Sequence, residues 1–336
     1  MKLIAEIGQA HDGSLGNLLS MVRKLCSLRV DIVKLQHHIA DAESSEYEQF
    51  RKKFSVQDPT RRAYWRRMEI PLEVMREIKS MVEAAGKQFL CTPFSLRAVD
   101  ELETIGVDSY KIGSADVGNR LLLRRIAETG KPVIISSGTK DEAAMDSAIE
   151  LLRPVVASLT IMHCTSAYPT PLNSVDLLGI DRLRARYELP VGLSDHSGLI
   201  WPTVFALGHA ATHAEVHFTW SRDQFGPDTT SSLTADEIET IADAIAAWKS
   251  THDSVGDSEV ATELERVRTV FTRSVRLRKA LAVGEEVSLT HLECFKPSGI
   301  GIDTQAAELL LGRRARQSAD AGTVLTAELV QEVFGT

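Results

Sequence analysis

Eight short apolar runs punctuate the first three-quarters of the chain, and almost every one finishes on a polar side chain. They occupy residues 2–8, 31–36, 88–93, 109–114, 132–138, 159–166, 190–196 and 214–220. Runs of this length and composition read as strands. Between them lie segments with apolar residues at helical spacing: 15–28, 72–85, 95–105, 119–129, 141–152, 200–212 and 235–248. Repeated strand–helix alternation implies parallel strands joined by right-handed crossovers. Eight such units close more naturally as a TIM (β/α)8 barrel than as an open, doubly wound sheet. The endings support closure: Glu6, Lys34 and Gln36, Thr92, Lys111 and Ser114, Ser136, His163 and Ser166, Ser194 and His196, and His217. A barrel of this kind assembles its active site from the C-terminal ends of its strands.

Two stretches break the rhythm. Residues 40–69 form a polar, aromatic and charged connection between the second strand and the following helix, too long for a simple turn. Such an excursion is either a lid or binding insertion, or a surface loop with a short helix. After residue 248 the pattern changes: 250–259 is rich in Ser, Asp and Gly, and 273–334 carries short β-like pieces and turns. The expected organisation is a barrel over 1–250, a linker over 251–272 and a small β-rich domain over 273–336. A unit of about 60 residues is near the lower limit of independent stability, so it should lean on a barrel, its own or a neighbour's.

The 336 residues are 43% apolar and 25% charged, ordinary for a globular chain, with a net charge of −8. That sign argues against nucleic acid or a membrane surface as a general partner, though not against an anionic substrate. Cys26, Cys91, Cys164 and Cys294 form neither a CxxC pair nor a zinc-ligand spacing. No signal peptide and no membrane-spanning run is recognisable, so a cytoplasmic location is the expectation.

The chemistry concentrates in the strands. His196 and His217 sit on successive strands about 5 Å apart, close enough for both imidazoles to share one divalent ion, with Glu6 as a carboxylate neighbour. Either histidine alone is equally an ordinary polar residue at a barrel mouth. Lys34 and Lys111 lie inside strands, where an amine must be paired or solvated. Facing one space, with hydroxyls from Thr92, Ser114, Ser136, Ser166 and Ser194, they would receive a phosphate and a carboxylate. The alternative is an ion pair with Glu6 or Asp116. Asp116, expected beside both lysines, would stay ionised and serve as a base or position a water, or else cap a helix. Tyr168, in the stiff run Tyr168-Pro169-Thr170-Pro171, and Asp228, after Gly226-Pro227, are candidates for contact with a polar substrate.

Taken in order, these motifs resemble the sialic acid (N-acetylneuraminate and related nonulosonate) synthase family, including its spore-coat polysaccharide biosynthesis members. The resemblance rests on Ala5-Glu6-Ile7-Gly8, His11-Asp12-Gly13, Val33-Lys34-Leu35-Gln36, Thr92-Pro93-Phe94 and Tyr110-Lys111-Ile112-Gly113-Ser114. It continues through His163-Cys164-Thr165-Ser166, Tyr168-Pro169-Thr170-Pro171, Gly192-Leu193-Ser194-Asp195-His196, His217-Phe218-Thr219 and Gly226-Pro227-Asp228. The tail is similar to the antifreeze-like (SAF) domain that ends these synthases.

The resemblance implies metal-dependent condensation of phosphoenolpyruvate with an N-acylated hexosamine such as N-acetylmannosamine. Lys34, Thr92, Lys111, Ser114, Ser136 and Ser194 would then hold phosphoenolpyruvate. His196 and His217 would hold manganese, or alternatively magnesium or cobalt. Gln36, Tyr168 and Asp228 would contact the sugar, with Glu6 nearby. It also implies a domain-swapped homodimer, each small domain capping the partner's barrel. This chain departs from the pattern at Asp116, where the family carries a Glu, at Ala10 and Val216, and at Lys296, which replaces an Arg and loses its planar fork. These departures keep two alternatives open: condensation with a different aldose, or a catalytically weakened sugar-binding relative.

Overall fold

The computed structural model describes residues 1–50, 53–138, 141–252 and 259–335. The chain divides into two compact units, Met1–His252 and Asp253–Thr336.

The first unit is a closed parallel barrel. Its strands are β1 (Lys2–Glu6), β2 (Ile32–His37), β3 (Gln88–Pro93), β4 (Tyr110–Ile112), β5 (Val133–Ser136), β6 (Leu159–Cys164), β7 (Val191–Asp195) and β8 (His213–Phe218). They pair in sequence order, and β1 pairs with β8 to close the ring. A short β9 (Ser232–Leu233) pairs in parallel beside the end of β8. The helices are α1 (Leu15–Ser27), α2 (Ala40–Glu43), α3 (Arg61–Met68), α4 (Leu72–Ala84), α5 (Leu96–Ile105), α6 (Arg120–Ala127), α7 (Glu142–Leu152), α8 (Leu178–Tyr187), α9 (Trp201–Ala206) and α10 (Ala235–His252). Ser14, Ser95, Asn119 and Asp141 begin α1, α5, α6 and α7, each accepting from an otherwise orphaned amide of the first turn.

Alternation along the strands sorts side chains into two cores. One set, including Leu3, Ala5, Val33, Leu35, Phe89, Ile112, Ile161 and Val216, packs outward under the helices. The other set, Ile4, Ile32, Leu90, Ile134 and Met162, fills the barrel interior as an apolar floor. The polar strand ends stand above this floor.

Three sequence expectations change. Helix α8 was not anticipated, because its charged residues blur the apolar period. The segment expected as a helix over 200–212 stops at Ala206, continues as a 3-10 turn over Leu207–His209, and ends at Ala210 with φ of 50°. In the expected linker, α10 runs on to His252 and a further helix, α11, spans Glu259–Phe271. The stretch 253–258 lies outside the described residues.

The second unit contains α11, an antiparallel pair of β10 (Ser274–Leu277) with β11 (Leu292–Phe295), α12 (Thr304–Glu308) and α13 (Ala327–Phe334). Val275, Leu277, Leu281, Val287, Leu310, Leu325 and Phe334 form its core. Cys91 and Cys164 are buried, Cys26 half-buried and Cys294 exposed, all as free thiols. Among the described residues no helix is long and apolar enough to cross a membrane.

Candidate active site

Register, set by ladder pairing, places the functional side chains. Glu6 lies opposite Lys34 of β2 on one side and His217 of β8 on the other. Gln36 lies opposite Thr92, and Ser194 opposite Glu215. All line one cavity of about 830 Å³ at the C-terminal end of the barrel, shared with Lys111, Ser114, Asp116, Ser136, Cys164, Tyr168, His196 and Asp228.

At its base is a buried charge cluster. Lys34 Nζ lies 2.6 Å from Glu6 Oε1 and 3.1 Å from Glu215 Oε1. Lys111 Nζ lies 3.4 Å from the same Glu215 oxygen and donates to Ser136 Oγ at 2.7 Å. Ser194 Oγ donates to Glu215 Oε1 at 3.2 Å, while Glu215 Oε2 is buried with no hydrogen-bond partner among the described residues. Burial opposes every one of these charges, and opposite charges decide the outcome. Burial alone would raise Glu6, but the Lys34 ammonium holds its carboxyl well below the usual range. Burial likewise opposes ionisation of Glu215, and Lys111 and Lys34 pull it down. Lys34 has two carboxylates and is raised despite its burial. Lys111, with only a share of Glu215, is lowered by burial.

The two lysines face one cavity, and Lys34 makes the expected ion pair with Glu6, whereas Lys111 pairs with Glu215 and neither lysine pairs with Asp116 among the described residues. The acid missed by sequence reasoning is Glu215. Its signal was available, since an acid two residues before His217 in an apolar strand must share that histidine's face.

Two imidazoles stand beside the cluster. The rings of His196 and His217 are 5.5 Å apart between centroids and inclined at 47°. His217 Nε2 approaches Glu6 Oε2 at 3.3 Å. His196 Nε2 faces the Tyr168 hydroxyl at 3.2 Å, and burial lowers its pKa to about 3, so it stands as a neutral donor. Each ring has a buried Nδ1 with no hydrogen-bond partner among the described residues. Gly8, at φ of 53°, backs this pair: a Cβ there would sit 3.1 Å from His217 Nδ1. Among the described residues no group of three or more His, Cys, Asp and Glu is arranged to hold an ion.

The remaining expected residues are distributed unevenly. Ser114 and Ser166 hydroxyls meet at 3.2 Å, although Ser166 does not itself line the cavity. Gly138 makes room for them: a Cβ there would lie 2.3 Å from Ser166 Oγ. Asp116 lines the cavity from a 3-10 turn over Ser114–Asp116, but the structure places it differently from the expectation. Its carboxylate accepts from Asn119 Nδ2 at 3.1 Å and has no lysine partner within ion-pair distance among the described residues. Burial without a compensating cation raises its pKa. His163, grouped with the strand-end chemistry, faces away from the cavity, because alternation turns Cys164 inward. Its ring packs on α8, where Gly179 has no side chain to obstruct it. Lys296 belongs to the second unit, with its Nζ 4.6 Å from the centre of the Phe271 ring.

The 40–69 insertion closes one wall, contributing Glu48, Gln49, Phe54 and Arg61 to the lining. It is clasped to the barrel. Arg67 pairs with Asp12 of the barrel at 2.6 Å and the buried Tyr64 donates to Gln9 Oε1, while Asp58, within the insertion, holds the same guanidinium at 2.7 Å.

The NeuB family profile matches residues 21–257 of this chain. An N,N'-diacetyllegionaminic acid synthase from Legionella pneumophila is 29% identical over 98% of this chain and 94% of its own length. A pseudaminic acid synthase from Campylobacter jejuni is 28% identical, covering 96% of this chain and 94% of itself. The crystal structure of an N-acetylneuraminic acid (sialic acid) synthetase from Leptospira borgpetersenii superposes with a TM-score of 0.68 at 26% identity. That match covers 79% of this chain and 89% of the other.

Proposed function

The chain belongs to the NeuB family, and from that membership we propose that it condenses phosphoenolpyruvate with an N-acylated hexosamine of the N-acetylmannosamine type, giving a sialic acid-type nonulosonate and phosphate. The observation that carries the reading is the meeting of two buried ammonium groups and two imidazoles in one cavity large enough for both substrates.

The residues divide the work by chemistry. Lys34 and Lys111 receive the phosphate and carboxylate of phosphoenolpyruvate, aided by the hydroxyls of Thr92, Ser114, Ser136 and Ser194. Thr92 Oγ1 is buried without a hydrogen-bond partner among the described residues, which supports that contact. Gln36, Tyr168 and Asp228 orient the sugar, while the insertion excludes water. In the reaction the methylene carbon of phosphoenolpyruvate bonds to the aldehyde carbon, whose oxygen takes up a proton. Water adds at the enol carbon, and the bond from that carbon to the phosphate oxygen breaks to release phosphate. Asp116, on the cavity wall, is the carboxylate that would position the attacking water, with Glu6 beside the acceptor.

Within this proposal His196 and His217, whose rings stand 5.5 Å apart, would hold a divalent cation near Glu6; manganese is our choice, with magnesium or cobalt as alternatives. Such an ion, when bound, supplies Lewis-acid polarisation of the aldehyde oxygen. A domain-swapped homodimer, with the antifreeze-like second unit supplying Lys296 to a second copy, and a cytoplasmic location belong to the same proposal.

The test is phosphate release from phosphoenolpyruvate with manganese and a panel of N-acyl hexosamines and simple aldoses. Release with N-acetylmannosamine or a close analogue is expected. Release only with an unrelated aldose redirects the reading to another condensation. A folded, metal-loaded protein that releases no phosphate with any aldehyde overturns it.

A further inference from the structure

From the ion cluster a chain of hydrogen bonds runs outward through Gln36 to His38, a residue that the reaction as described does not use. Gln36 Nε2 donates to Glu6 Oε1 at 2.9 Å. The same Glu6 oxygen accepts from Lys34 Nζ at 2.6 Å, so the amide presents its nitrogen there and its oxygen to the other side. On that side Gln36 Oε1 lies 2.9 Å from His38 Nε2, which must therefore carry the hydrogen. The other ring nitrogen, His38 Nδ1, meets Glu43 Oε1 at 2.8 Å. The imidazole is buried and sandwiched between two aromatic rings. Trp65 stacks at 4.3 Å and 18°, Phe94 at 4.4 Å and 7°. Trp65 is itself held by Glu48, its indole N–H donating at 3.1 Å.

The origins of these groups matter. Glu43, Glu48 and Trp65 belong to the 40–69 insertion, whereas Gln36, His38 and Phe94 belong to the barrel. The ring is thus gripped from both sides, and its far nitrogen orders the amide that holds the first-strand carboxylate. We propose that His38 is a positioning residue, acting through Gln36 to orient Glu6, and that it makes this orientation depend on the seating of the insertion. A histidine with a packing role only would need no polar partner on each ring nitrogen.

The test uses His38→Phe, which keeps a ring between Trp65 and Phe94 and deletes both polar atoms. Its first readout needs no turnover. In protein labelled with 15N-glutamine, the Gln36 side-chain amide should shift and lose its protection from solvent exchange. The second readout rests on the proposed synthase reaction. There kcat should fall about 10- to 100-fold, with KM for phosphoenolpyruvate changed no more than about twofold. In a Gln36→Leu background, His38→Phe should cost nothing further, because a residue acting through Gln36 has lost its route. An unchanged Gln36 amide, or the full loss repeated in the Gln36→Leu background, overturns the proposal. If wild-type protein turns over no substrate, the synthase reading fails and the amide signal still decides this one. Should His38→Phe not fold, Glu43→Gln replaces it, with the same expected and contrary results at the Gln36 amide.

Discussion

Replacing Glu215 by Gln removes one negative charge from the barrel interior while keeping its shape. In the wild-type protein one oxygen of Glu215 lies 3.1 Å from Lys34 Nζ and 3.4 Å from Lys111 Nζ. At an effective dielectric constant of about 20, each contact represents roughly 5 kcal/mol of attraction before desolvation is counted. Breaking a buried pair by removing one partner costs a net of about 3–5 kcal/mol. At about 2–4 °C per kcal/mol for a unit of this size, the melting midpoint should fall by roughly 10 °C. The pH dependence identifies the cause. Lys111 already has a lowered pKa through burial, and without Glu215 it falls further. Between the folded value and the unfolded value of about 10.4, the unfolded chain binds more protons, so stability rises with pH in that window. Thermal melts followed by circular dichroism should therefore show the variant recovering part of its deficit as pH is raised towards 10, and more steeply than wild type. A midpoint within about 2 °C of wild type, or a deficit that is flat with pH, would refute the assignment of Glu215 as the shared counter-charge.

Other perturbations address separate parts of the molecule. Gly8→Ala should destabilise by about 1–2 kcal/mol, because φ is positive there. It should also weaken the metal response of activity, because its Cβ presses on His217; unaltered metal titration would count against that contact. His217→Ala should lose metal-dependent rate, and an unchanged manganese dependence would remove it from the ligand set. Asp58 has its pKa lowered, chiefly by its hydrogen bond from Arg67. Its stabilising contribution is therefore present above the ordinary carboxylate range and lost as pH falls below about 4. Limited proteolysis should cut within 40–69 faster in acid, and Arg67→Ala should already be cut faster at neutral pH; equal cleavage rates would show that the clasp does not seat the insertion.

Much of the barrel was legible in the linear pattern, because a strand's apolar run and a helix's spacing are local properties. Glu6, Lys34, Lys111, His196 and His217 announced themselves as polar side chains in apolar runs, where burial makes an unpaired charge costly. The helix α8 was not legible: its core contact depends on Gly179 admitting the ring of His163, a meeting of two elements. Asp116 was misplaced for a related reason. Its position after β4 is local, but whether a lysine or Asn119 reaches its carboxylate depends on how the 3-10 turn lies.

The order of strands and helices, the alternation of inner and outer faces, and the chemical types available at the cavity were thus determined by the sequence alone. Which charges meet was decided only by closure of the barrel. Pairing of β1 with β8 brings Glu6 to His217, and Glu215 to both lysines, across the length of the first unit. Packing of the insertion likewise sets Trp65 and Glu43 around His38. Electrostatic and stacking energies depend on separation in space, and spacing along the chain carries no measure of that separation until the ring is shut.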